Sequence, residues 1–183
     1  AVSFLTRSVA LDKTADSLLL LGHIEFERER YQDAVKWFTD GLEMRFEQSA
    51  ALRLGFIYLK MNDFVKAEST LFQCSPQSAS VLLGLAIAAM NMNKFKQADE
   101  LLNQATVINP RHPDVWANLA LFSLKMERSD EAHHAAMMAK KWNLTDQDLI
   151  QKLKEKKLFD DNEEESIVDN VEDNIDDVDQ DDI

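Results

Sequence analysis

Four histidines, one cysteine and a dense run of acids are the residues of this chain whose types could do metal, nucleophilic or acid–base chemistry. His133 and His134 are adjacent, so on a helix they point about 100° apart and cannot close on one metal as an i, i+4 pair would. They read as solvent-facing, and His23 and His112 stand alone. Cys74 lies in "LFQCSPQ", which lacks the electropositive neighbours that activate a thiolate; it is expected to be a small structural residue. A single cysteine makes no internal disulfide. Asn143-Leu144-Thr145 matches a glycosylation acceptor but reads better as a turn and a helix cap. No glycine follows Gly84, which removes phosphate loops, dinucleotide turns and EF-hand loops from the C-terminal half. No nucleophile, base and orienter can be assembled. The expectation is a chain that is not an enzyme, with no cofactor, metal site or small-molecule substrate.

Charge points the same way. Of 33 acids, thirteen fall between 160 and 183 with no base among them, which leaves 20 acids against 20 bases in the rest of the chain. A neutral body has no electrostatic footprint for nucleic acid, and the tail would repel phosphate. Membrane insertion is not expected either, because no apolar run approaches the roughly 20 residues that cross a bilayer. Together these features predict a cytoplasmic protein.

The elements that hold these residues are helices. The chain is 45% hydrophobic, with only four glycines and three prolines, and Leu, Ala, Met, Lys, Glu and Gln outweigh Val and Ile, a helical bias. Aligning "LLLLGHIEF", "ALRLGFIYL", "VLLGLAIAAM" and "VWANLALFSL" puts Gly22, Gly55, Ala86 and Ala120 in one column. An alanine follows each by twelve residues, at Ala34, Ala67, Ala98 and Ala132, with steps of 33, 31 and 34 between them. A shared offset with a period near 34 marks an array of helix pairs. The small residues are expected where two helices approach closely. Arg30-Tyr31, Asn62-Asp63, Asn93-Lys94 and Arg128-Ser129 are the expected turns between them.

These units resemble tetratricopeptide repeats. The last unit carries Trp116, Leu119-Ala120, Ala132 and Ala139; the second carries Leu54-Gly55, Tyr58, Phe64, Ala67 and Leu71. The third supplies Phe95, Ala98, Ala105 and Pro110, and the first Leu21-Gly22, Ala34 and Phe38. The resemblance implies an all-α, right-handed superhelical solenoid of about four helix pairs, in units 15–47, 48–78, 79–112 and 113–144, the array running from 14 to 144. Residues 1–13 fit the second helix of a preceding repeat, so the chain is expected to be a C-terminal segment of a longer polypeptide. Thr145-Asp146-Gln147-Asp148 resembles a capping box that opens a terminal capping helix over 145–159, and 160–183 form an acidic tail. The step of 31 predicts a shorter loop around "QCSPQS" and an altered packing angle there. The run "NPRHPDVWANLALFSLKMERSDEA" with "WNLTDQDLI" is also similar to the C-terminal repeats of a cilia- and flagella-associated tetratricopeptide family of the axonemal central apparatus, which implies a cilium or flagellum axoneme location.

In this family the concave surface is built from one side of the first helices. Carried over, that side holds Leu19, His23, Phe26, Leu52, Phe56, Leu59, Leu83, Ile87, Met90, Leu121 and Leu124. A carboxylate clamp for chaperone C-termini needs inward basic residues where these are Leu, Phe and Ile, which disfavours a co-chaperone adaptor. An apolar groove instead suits an amphipathic helix from a protein partner within a multi-subunit assembly. The competing reading is that a tightly wound superhelix buries these side chains against neighbouring repeats. In the tail, Ile167, Val171, Ile175 and Val178 recur at helical spacing, so a regulatory subunit inhibited by its own tail is a further alternative to a solvated segment.

Overall fold

The computed structural model describes residues 14–159. The expectations for 1–13 and 160–183 lie outside the described residues. Helices alternate as first and second members of pairs: α1 (Ala15–Glu27) with α2 (Tyr31–Met44), α3 (Gln48–Lys60) with α4 (Phe64–Leu71), α5 (Ala79–Asn91) with α6 (Phe95–Ile108), and α7 (Pro113–Lys125) with α8 (Ser129–Lys141), followed by α9 (Gln147–Glu155). Each pair packs internally, the second helices α2, α4 and α6 pack on the next first helix, and the first helices also touch along a row α1, α3, α5, α7, α9. The fold is an all-α solenoid, with no strand among the described residues.

Small residues set the pair geometry. A Cβ placed on Gly22 would lie 2.6 Å from the Phe38 ring, and one on Gly55 2.5 Å from Leu71. In the first two pairs a large side chain faces glycine across the contact. Phe38, Leu71, Leu102 and Ala136, each fully buried one turn beyond the column alanine, stand in the same order as Gly22, Gly55, Ala86 and Ala120, so the largest side chain meets glycine and the smallest meets alanine. Interiors at crystal-like density require that trade. A second small column, Gly41, Cys74, Ala105 and Ala139, is buried as well, and at Gly41 a Cβ would meet Leu19 at 2.6 Å.

Each first helix ends in the same way. Glu29, Asn62, Asn93 and Glu127 have φ of 59 to 62°, and the next residue donates its N–H back to the carbonyl of Glu25, Tyr58, Ala89 or Ser123 at 2.8–2.9 Å. This is the Schellman arrangement, built on non-glycine residues. Arg30, Asp63, Lys94 and Arg128 then cap the second helices, so Tyr31 and Ser129 are already helical and the turns lie slightly earlier than the sequence reading placed them.

Two further expectations change. The missing residues of the 31-step are not taken from the connection, which runs over 72–78 where the other inter-unit links run over 45–47 and 109–112. They come from α4, which has 8 residues against 14 in α2 and α6. Its last residue, Leu71, wedges between two first helices, since a Cβ on Gly84 of α5 would lie 2.8 Å from it. Cys74 still fills its small-residue slot after the helix has stopped, with its N–H donated to the Leu71 carbonyl at 3.0 Å. At the other end, Asp146 rather than Thr145 caps α9, accepting from the Leu149 N–H at 3.1 Å. A reciprocal capping box does occur, at Thr14 and Ser17 of α1.

Candidate functional site

The row of first helices presents a set of positions that all units share, so the expected surface residues can be located one by one. Leu19, Leu59 and Leu83 are buried in helix–helix contacts. Leu19 fills the notch over Gly41, Leu59 packs with Ala67 and Ala88, and Leu83 joins the core that runs from α5 to α9. The other eight are half-buried. Sequence spacing could not separate these classes, because the depth of a side chain depends on the partner unit's bulk.

The eight half-buried residues fall into three neighbourhoods. At the N-terminal end, His23 sits edge-on to Phe38 with ring centres 5.0 Å apart, and Phe26 meets Tyr31 at 6.2 Å with the Arg53 guanidinium 5.1 Å over its face. Burial, with Arg53 adding to it, lowers the His23 pKa below 6.5, and its Nδ1 has no hydrogen-bond partner. In the middle, Phe56 and Ile87 flank one cluster. The tip of the Phe56 ring lies 3.6 Å from where a Cβ on Gly84 would stand, which places it between α3 and α5. Leu52 packs separately, with Ala51, Leu71 and Cys74. Met90, Leu121 and Leu124 line the edge of the α5–α9 core.

Leu121 and Leu124 also form the floor of a cleft of about 390 Å³ between α7 and α9, whose other walls are Lys125, Lys152, Glu155 and Lys156. The sequence reading missed the lysine walls, because α9 lies outside the repeat motif and its register against α7 is not written in the period. Salt links tie the outer edge of the array. Lys94 bonds Glu68 at 2.8 Å and Arg128 bonds Asp99 at 3.0 Å, from equivalent positions in successive units. Half-exposed pairs of this kind each contribute at most about 1 kcal/mol.

Cys74, His112 and Trp116 make contacts within the array. Cys74 is buried, and burial raises its thiol pKa, the reverse of activation. His112 caps the start of α7 and meets the Ser80 hydroxyl at 3.2 Å, joining two units. Trp116 donates its indole N–H to the Pro110 carbonyl at 2.7 Å, pinning the link into the last pair. Among the described residues no three His, Cys, Asp or Glu side chains gather as a metal site, and no helix is long and apolar enough to cross a membrane.

The architecture is shared with solved tetratricopeptide proteins. The chain superposes on MamA from Desulfovibrio magneticus RS-1 with a TM-score of 0.71 at 18% identity, covering 77% of this chain and 82% of that one. It superposes on YrrB with a TM-score of 0.67 at 18% identity, covering 84% and 81%. In sequence it is 34% identical over 140 residues to human (Homo sapiens) cilia- and flagella-associated protein 70, an alignment that takes in 72% of this chain and 12% of the human protein. The chain thus spans a small part of the length of the curated relatives it matches. The family model for the cilia and flagella-associated protein 70 C-terminal domain matches residues 5–163. With repeat columns, capping helix and most of its length inside that match, the chain belongs to the family of cilia- and flagella-associated protein 70 C-terminal domains.

Proposed function

We propose that this domain is a non-catalytic scaffold that holds a partner protein in a ciliary or flagellar assembly, through an apolar strip centred on Phe56 and Ile87 and extended by Met90. The observation that carries the reading is that these side chains stay partly exposed on the row of first helices, while Leu59, which holds the position of Met90 in the preceding unit, is buried. A side chain that the array itself does not finish burying gains apolar contact when a partner covers it. An amphipathic helix suits the strip, since it can offer apolar residues at one-turn spacing along a row of helices. Membership of the ciliary family supports the location. The solved structure of YrrB is described as having an unusual peptide-binding site, and peptide capture is the mode proposed for this domain.

The test uses the partner recovered by affinity purification and mass spectrometry from ciliated cells, with its affinity for the domain then measured. Central aromatic anchors commonly carry about 2 kcal/mol or more, so Phe56→Ala is expected to weaken binding at least about tenfold while helicity by circular dichroism is retained. Unfolding by Phe56→Ala and by the milder Ile87→Ala, or unchanged affinity in both, would assign the strip to the core instead.

A further inference from the structure

The cleft between α7 and α9 has an apolar floor and a basic rim, and no ion pair of the described residues neutralises that rim. Leu121 and Leu124 lie at the bottom, and Lys125, Lys152 and Lys156 stand around them. Lys125 rests its ammonium 4.8 Å over the Phe95 ring. The one acid in the wall, Glu155, accepts a hydrogen bond from the Gln151 amide at 3.1 Å. Across 140–157 the chain has six lysines (Lys140, Lys141, Lys152, Lys154, Lys156, Lys157) against three acids (Asp146, Asp148, Glu155). The end of an otherwise neutral body is therefore positive.

The chain leaves the array beside this cleft. After α9, Leu158 is buried and Phe159 packs on the same core as Leu121 and Leu124, within one helical turn of Lys156. From there run residues 160–183, with thirteen acids, no base, and Ile167, Val171, Ile175 and Val178 spaced four, four and three apart. In a helix that spacing aligns the four apolar residues on one face with acids on either side. Such a face matches a leucine floor between lysine walls in both shape and sign. A tether this short holds the segment at millimolar effective concentration, so an intrinsic affinity in the millimolar range already half-fills the site.

We propose that the cleft between α7 and α9 is the docking site of the chain's own acidic segment, residues 160–183, with its Val171 and Ile175 side on Leu121 and Leu124 and its carboxylates on Lys125, Lys152 and Lys156. The occupied cleft closes the C-terminal end of the row of first helices and leaves the Phe56 and Ile87 strip open. It stands whether or not that strip takes a partner, since its test reads the position of the tail and not partner binding.

The experiment places a spin label on the full chain at Glu172→Cys in a Cys74→Ser background and observes the leucine methyl resonances. Docking predicts loss of the Leu121 and Leu124 methyl signals, and their recovery in Lys152→Glu/Lys156→Glu, in Val171→Ser/Ile175→Ser, and at about 1 M salt, where the screening length falls to about 3 Å. Chains that are spin-labelled but isotopically silent are then mixed with unlabelled, isotope-bearing chains. Signal loss in that mixture equal to the loss within one chain would assign the site to a second copy's tail and overturn the proposal. Intact Leu121 and Leu124 signals at low salt would overturn it as well. So would binding of an added acidic amphipathic peptide to this cleft with no competition from the tail, which would assign the cleft to a partner.

Discussion

His23 is held edge-on to Phe38, and its Nδ1 has no hydrogen-bond partner. Because burial and Arg53 lower its pKa from 6.5, the unfolded chain binds the proton first. Stability on this account is fully present above pH 6.5 and is lost as pH falls from there through the lower folded value. His23→Phe, which keeps the aromatic contact, is expected to flatten the stability profile between about pH 7 and pH 5, as urea midpoints across that range would measure. The close contacts give a second residue-scale expectation with opposite signs at neighbouring positions. Gly55→Ala drives a methyl into Leu71 at 2.5 Å and should destabilise by about 1–3 kcal/mol despite the better helix propensity of alanine. Asn62→Gly relieves a left-handed residue at φ 59° and should be neutral or stabilising by up to about 1 kcal/mol. Chemical denaturation of the two variants compares them directly. The roles of Gly22 and Gly55 were legible in the sequence because a small residue that returns at the same place in every helix pair marks where the two helices touch. The role of Gly84 was not, since it answers to Leu71, a neighbour outside the common register; Gly41 stands in the recurring small column with Cys74, Ala105 and Ala139.

At the scale of elements, α9 ends the array by taking the place of the next first helix against α7. Its motif was readable as a cap with a following amphipathic stretch. Which residue caps it was not, because Thr145 and Asp146 are both good caps and only the backbone path chooses between them. Leu153 is the one fully buried side chain of α9. Leu153→Ala should therefore cost about 2–5 kcal/mol, and Asp146→Ala about 0.5–2 kcal/mol, in thermal melts followed by circular dichroism. A loss as small as a surface substitution would mean that α9 does not dock. The short α4 illustrates the limit of period counting. A single step two or three residues short locates a deletion, but helix and connection can exchange residues freely as long as Leu71 and Cys74 keep their slots, so the count alone does not say which one shrinks.

Over the whole molecule, the largest continuous core joins α5 through α9, while α1 to α4 are held by separate, smaller clusters. Contacts in a solenoid reach only adjacent units, so opening can proceed piecewise. Amides of α1 and α2 are expected to exchange by openings of lower free energy than those of α7 and α8. Native-state hydrogen exchange across a urea series would display the order, and uniform protection would count against it. Fold class and repeat phase could be read from the sequence because they depend on columns that recur. The depth of each surface leucine and the lysine walls of the cleft could not, because they depend on how unlike units meet. The graded pairing of bulk across each helix pair also bears on how such a chain avoids error while it folds. Four similar units invite mispairing, a characteristic failure of repeat proteins. Here the first and last pairs are mismatched in volume when exchanged. Phe38 set against Ala120 would collide, and Ala136 set against Gly22 would leave a void, so packing sorts those two pairs by size, whereas Leu71 and Leu102 are alike and do not discriminate between Gly55 and Ala86.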